Sequence, residues 1–363
     1  MTSWSNICKV MMAVAIALSA SCTKVEYTGS ELVPTDTFVL YSMDWAGQTD
    51  VPSEMTVLMG RILNTIHFSC TMDSLGTMQS VLRDSLAVET DSLNGLHMPN
   101  GEYYIMAFNS KNSAFGLAGY DAFVSEKGAS MRDIYITAPH LTESEVAEVT
   151  GGSNVSDFNP DFEYIKSISP AYLDVQKVNI HPDIDTAVTI SPVPVSQTLT
   201  FRIDIISDPE VEIAEVKADI SGVPDRVQLL TGHISDTLTH RVPFTLTPAE
   251  GQTYEGKICV LGLFPSVDAT YTTGPGILQL AIRAKVGDSE RTLRAGINLQ
   301  QSIKDANLMV KASENERLYR IGAEKAVIDV QAKLKIEKDN VVTEGDSEGV
   351  EVWFKHEDIE FEI

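Results

Sequence analysis

Chemistry in a protein needs nucleophiles, acid–base pairs or metal ligands at workable spacings, and this chain offers few of them. Its four cysteines are Cys8, Cys22, Cys70 and Cys259, with no CxxC pair and no zinc spacing. Seven histidines (His67, His97, His140, His181, His233, His240 and His356) are scattered along the chain, and HExxH is absent. His233 and His240 flank a turn and read as solvent-exposed. GxSxG, P-loop and GxGxxG patterns are also absent. Carboxylates are abundant, but nothing holds a pair at the separation that glycosidic-bond chemistry requires. The acidic stretch of Asp339, Glu344, Asp346 and Glu348 lacks the alternating spacing of a calcium loop and reads as a solvated turn. The sequence therefore predicts no catalytic residues, no metal, no cofactor and no enzyme.

Two patterns do carry chemistry. Lys9 precedes a short apolar run, Val10 to Leu18, followed by Ser19, Ala20, Ser21 and Cys22. The run is too short to span a bilayer and has the length of a signal-peptide core. Small residues before a cysteine resemble the lipobox of bacterial lipoproteins, although Leu18 sits four residues before Cys22 rather than the usual three. The resemblance implies removal of residues 1–21 and diacylglycerylation of the Cys22 thiol. Acyl chains there hold a protein on a membrane because each buried methylene contributes about 0.8 kcal/mol. The second pattern is Asp, then Ser or Thr, then Leu or Ala. It places hydroxyls at Ser74, Ser85, Ser92, Thr186 and Thr237, where composition alone would give roughly two. It looks like the O-glycosylation sequon of exported Bacteroidetes proteins. Asp and Ser also favour turns for reasons of their own, since their side chains bond nearby backbone.

The elements that would position these residues are strands. The 363 residues are 43% apolar, too many for a disordered chain, and suggest about two domains. With 51 acidic against 27 basic residues, the net charge of -24 repels phosphate backbones, so no nucleic-acid partner is expected. Residues 22–36 read as a polar tether. Runs such as Thr37 to Ser42, Met55 to Gly60 and Tyr103 to Phe108 read as strands. Leu141 to Phe162, acidic and Gly-containing, reads as a surface insertion. Prolines at 192 and 194 bend or expose the alternating run from Ala187 to Ile205. Gly287-Asp288 marks a hairpin, Ser221 to Pro224 a turn, and Ser302 to Arg320 is the best helix candidate. Cys70 and Cys259 read as two buried free thiols, with an interdomain disulfide as the alternative. The reading is all-β, with domains at 37–183 and 184–363 and few short helices.

The signal with Cys22, Met43-Asp44-Trp45, the pattern Leu96 to Asn109 (LHMPNGEYYIMAFN), the segment Ile220 to Gly232 (ISGVPDRVQLLTG) and the closing Val350 to Ile363 occur in one order. That order resembles the Bacteroidales lipoproteins related to fimbrillin-A-associated anchor proteins. The resemblance implies two tandem transthyretin-like Greek-key β-sandwich domains in an outer-membrane, surface-exposed, lipid-anchored protein. It further implies a fimbrial anchor, accessory subunit or adhesin whose partners are fimbrial subunits or another surface protein. Such proteins assemble by strand addition, for which the edges expected here are Ala187 to Leu199 and Ile359 to Ile363. Shaft subunits of such fimbriae are cut after an arginine. The first arginine here, Arg61, lies inside the first domain, which favours an uncut subunit. The alternative is a glycan-binding surface lipoprotein, which would present exposed aromatics; Trp45 and Trp353 read instead as core residues.

Overall fold

A computed structural model describes residues 36–344, apart from 49, 62–66, 84–85, 88–94, 110–113, 126–129, 151–162, 183, 238, 314–316 and 338–340. The first half begins with β1 (Thr37–Met43), β2 (Glu54–Arg61), β3 (His67–Asp73), β4 (Met78–Arg83), β5 (Leu86–Ala87), β6 (Gly95–Met98) and β7 (Gly101–Asn109). An excursion follows, containing β8 (Gly116–Ala118), helix α1 (Tyr120–Ser125), β9 (Tyr135–Thr137) and helix α2 (Glu143–Thr150). The chain returns through β10 (Tyr172–Ile180), β11 (Thr186–Ile190) and β12 (Val193–Pro194).

These strands build a seven-stranded sheet, ordered β12-β10-β7-β2-β3-β4-β5, and a three-stranded sheet, β11-β1-β6. The unbroken apolar runs of β2 and β7 follow from their place in the middle of the larger sheet, where both faces are covered. Met55, Val57 and Met59 point into one core with Tyr103, Ile105 and Ala107, and that core also holds Val39, Tyr41, Leu96 and Val188 from the smaller sheet. Leu58, Met106 and Phe108, at the intervening positions, enter a second core. The period of two along a strand sends neighbouring side chains to opposite faces. The Tyr41 hydroxyl, fully buried, reaches the sulfurs of Met59 and Met98 at 3.0 Å each.

The second half contributes β13 (Gln197–Ser207), β14 (Val211–Val223), β15 (Arg226–Gln228), β16 (Ile234–Ser235), β17 (His240–Pro248), β18 (Thr253–Val260), β19 (Ile277–Val286) and β20 (Ser289–Asn298). Helix α3 (Gln300–Asp305), β21 (Met309–Lys311), β22 (Leu318–Ile321), β23 (Lys325–Ile336) and β24 (Val341–Glu344) complete the described chain. Its main sheet runs β20-β19-β14-β17-β18-β13-β23-β24. β17 and β18 pair only through Thr247 with Glu255 and Pro248 with Tyr254, so the sheet turns a corner there. The two sides fold over one core, where the rings of Phe201 and Phe244 lie 5.1 Å apart. The result is an all-β, sandwich architecture.

The two halves are joined by more than a linker. β9, from the excursion, pairs on one side with β8 and on the other with β15 of the second half. Ile134, Ile136 and Ala138 therefore share a core with Leu199, Val227 and Ile258. Arg241 at the start of β17 continues the junction. Its backbone N–H donates to the Glu163 carbonyl, and its own carbonyl accepts from the Ile165 N–H. Its guanidinium, 3% exposed, holds the Asp219 carboxylate. Burial pushes that carboxyl above the usual carboxylate range, against the pull of Arg241.

Several expectations change. Prolines 192 and 194 divide the run from Ala187 to Ile205 into three strands, β11, β12 and β13, in three different pairings. β11 and β12, which follow the expected boundary at 183/184, pair with β1 and β10 of the first half. The turn expected at Ser221 to Pro224 is the end of β14, where the register shifts between Ser221 and Val223 and Gly222 takes φ 93°. A Cβ on Gly222 would sit 2.7 Å from the Phe264 carbonyl oxygen, so glycine is needed for this close approach. The helix expected over Ser302 to Arg320 is the six-residue α3 followed by β21 and β22. Asn307, at φ 48°, reverses the chain. The Gly287-Asp288 hairpin between β19 and β20 forms as expected. Cys70 and Cys259 are free and buried in different cores.

Two measurements check this packing. Arg241→Ala removes the hydrogen-bonded partner of a buried carboxylate and is expected to cost about 3 kcal/mol of stability, read from the urea midpoint. Burial pushes the Cys70 thiol up to about 12 and the Cys259 thiol in the same direction. A soluble chain starting at Thr23 is therefore expected to show two thiols to Ellman's reagent after unfolding and neither before it.

Candidate interaction edge

A sheet edge is a site because its backbone groups lack partners. Among the described residues, β11 pairs on one side only, with β1, and β10 beyond Leu173 pairs only with β7. β12 covers just Tyr172 and Leu173, and the next residue back along it, which would face Asp174, is Pro192. Proline has no N–H to extend a ladder, which is why the cover stops there. The unextended edges of both sheets thus lie along one side of the first sandwich.

Side chains bridge this seam in place of a ladder. Gln176 on β10 donates through Nε2 to the Thr189 carbonyl on β11 at 2.6 Å. The Ser191 N–H donates to Asp174 Oδ2 at 2.8 Å. Two exposed aliphatic side chains flank the seam: Ile184 is 59% exposed and Val193 58%. Where β12 meets the second half, a cleft of about 670 Å³ opens, with Leu173, Val193, Val195, Ile234, Ile321 and Arg320 among its lining. Mostly apolar walls with a few polar groups are what an extended segment with alternating side chains needs.

The expected modification residues are spread over the surface rather than gathered. Ser74 is half-buried in the β3–β4 turn, and its carbonyl accepts the Trp45 indole N–H at 2.8 Å. Asp73 shapes that turn, accepting from the N–H groups of Leu75 and Thr77 at 2.9 Å each, so an Asp before a Ser has a structural reason here. Thr186 opens β11 and is half-buried, while Thr237 is exposed beside Ser235. Cys22, Ser85, Ser92, Trp353 and the strand expected at Ile359 to Ile363 lie outside the described residues. Trp45 is half-buried, 5.5 Å edge-on from Tyr172. Tyr271, at 51%, is the single exposed large aromatic among the described residues, which gives no aromatic platform for a sugar.

One reading is reversed. His240 is buried, at 3% exposure, because β17 begins beneath the excursion segment that carries His140. His233 is half-buried. Burial pushes the His240 imidazole below its usual pKa.

No protein-family model matches the chain, and no curated protein matches it. Among solved structures, a candidate adhesin from Bacteroides ovatus aligns with a TM-score of 0.53 at 13% identity, covering 84% of this chain and 93% of that one. A second candidate adhesin from Bacteroides ovatus aligns at 0.44 and 10% identity, over 88% and 95%. The fimbrial anchor protein Mfa2 from Porphyromonas gingivalis aligns at 0.39 and 11% identity, over 88% and 98%. At such identities the likeness is one of fold. The chain is an all-β sandwich protein that shares the fold of the first of these, a candidate adhesin from Bacteroides.

The seam can be tested by charge. Replacing both Ile184 and Val193 with Lys is expected to leave the thermal midpoint nearly unchanged, because neither side chain fills a core. The same pair is expected to weaken association with any strand-donating partner at least tenfold, measured by surface plasmon resonance.

Proposed function

We propose that this protein is a surface-anchored accessory or anchor subunit of a fimbria, or an adhesin of that kind, held in the outer membrane by lipid on Cys22 and joined to its partner by strand addition. The observation that carries the reading is the seam along β10 and β11, two unextended edges on one side of a sandwich, flanked by exposed aliphatic residues and a mostly apolar cleft. An extended partner segment laid there would satisfy backbone groups and place alternate side chains in the cleft. The shared fold with a candidate adhesin supports the reading without deciding it, since one fold hosts many functions.

Arg61 ends β2, the strand between β7 and β3. Cleavage after it would remove β1 and β2 and split the larger sheet, which favours an uncut subunit over a shaft subunit. The function is one of binding and assembly rather than catalysis. Thr237 is the best-exposed of the described sequon hydroxyls and the first place to look for glycan. The glycan-binding alternative gains little from one exposed tyrosine.

The test is made on the native cells. Filaments sheared from the surface are expected to carry this protein, and deletion is expected to release or lengthen them. Cys22→Ser is expected to move it from the membrane fraction to the soluble fraction. Filaments that lack the protein and are unchanged by its deletion would remove the fimbrial reading.

A further inference from the structure

The junction between excursion and second half holds a second cluster, built from residues outside the seam. His140 follows β9, Asp225 precedes β15, and His240 opens β17. Pairing of β9 with β15 brings them together: the Ala138 N–H donates to the Asp225 carbonyl at 2.7 Å. His140 Nε2 lies 3.9 Å from Asp225 Oδ2, and His240 Nε2 lies 3.8 Å from Asp225 Oδ1. The two imidazole rings stand edge to face, 5.1 Å apart. One ligand-type atom from each of the three residues falls within 4.8 Å of the others.

His240 is the informative member. It is 97% buried by its 3% exposure, yet neither ring nitrogen has a hydrogen-bond partner. Buried polar atoms are nearly always satisfied, so an orphaned imidazole aimed at a buried carboxylate asks for a ligand. Metal–ligand bonds of roughly 2.0–2.1 Å in a tetrahedron put donor atoms about 3.4 Å apart. The three donors, within 4.8 Å of one another, need to close by up to about 1.4 Å to meet that value, which rotation of the half-exposed His140 ring can supply.

The surroundings fit as well. His140 Nδ1 lies 3.1 Å from Glu163 Oε2, so its Nδ1–H can be held by a carboxylate while Nε2 faces the cluster. That is the outer arrangement that orients metal-bound histidines. Arg226 holds Asp225 in place, its guanidinium donating to Oδ1 at 3.0 Å and to Oδ2 at 2.8 Å. His140 is 47% exposed, which leaves one direction open to water as a fourth ligand.

We propose that His140, Asp225 and His240 bind one divalent transition-metal ion of the Zn²⁺ class, with water as the fourth ligand and Glu163 orienting His140. Two imidazoles and a carboxylate suit zinc better than calcium or magnesium, which take oxygen ligands. The ion would tie the excursion to the second half and so clamp the two halves together. This inference stands apart from the fimbrial reading and does not depend on it.

The probe is Zn²⁺ alone, titrated into the purified full chain, prepared without a histidine tag and stripped with chelator. One equivalent is expected to bind with a sub-micromolar Kd and to raise the thermal midpoint. His140→Ala, at a half-exposed position, is expected to weaken binding at least tenfold while the circular dichroism spectrum is unchanged. Glu163→Gln, on the exposed rim, is expected to weaken it by about 10–100-fold and serves as the deciding variant if His140→Ala does not fold. Lack of stoichiometric uptake by the wild-type chain overturns the proposal. So does wild-type affinity in either folded variant.

Discussion

The pairing of β9 with β15 is the constraint on which the rest of the structure depends. Three residues, Tyr135 to Thr137, leave the first half and complete a ladder with Arg226 to Gln228. Without that ladder the backbone groups of a buried segment would be unpaired, and Ile134 and Ile136 would lose the core they fill. The pairing also explains why Leu58, Met106 and Phe108 on the first sheet belong to the same apolar cluster as the second sandwich. Two sandwiches that sequence length would keep apart are thereby packed as neighbours with a shared interior.

The same junction gathers the buried charge. Asp219 with Arg241, and Asp225 with Arg226, His140 and His240, all lie where the excursion meets β15 and β17. Burial and ion pairing work against each other there: burial raises Asp219, while for Asp225 the same burial is outweighed by Arg226 and the carboxyl sits below its usual range. A buried charge is tolerated only with its partner, so this polar junction demands its full set of residues. The seam along β10 and β11 differs in kind. Its two flanking aliphatic side chains, Ile184 and Val193, are exposed, and the side chains that bridge it, Gln176 and Asp174, are polar.

The proposed strand addition and the proposed internal clamp are compatible in one molecule because they use different residues of it. The seam needs edges whose pairing stops early, and Pro192 lies between the end of β11 and the start of β12, where a ladder with Asp174 would have to continue. The junction needs a body that does not shift when a partner pulls on that edge. An anchor that carries load between a membrane and a filament would use both properties.

The sequence by itself determined the longer strands. Apolar runs in β2 and β7, alternation in β23 and the Gly287-Asp288 hairpin are local signals, because side-chain period and turn conformation depend on near neighbours. The acidic balance and the small residues before Cys22 are equally local. Which strand lies beside which was decided only by tertiary structure. β9 and β15 are separated by the whole of β10 to β14, and nothing in Tyr135-Ile136-Thr137 names its partner. The stretch from Ser302 to Arg320 read as helix, but Asn307 reverses the chain and two short strands follow. His240 read as exposed because a short polar turn precedes it, and only the excursion folding over β17 buries it beside His140. Pairing over long separations is set by the summed burial of whole sheets, and no window of sequence contains that sum.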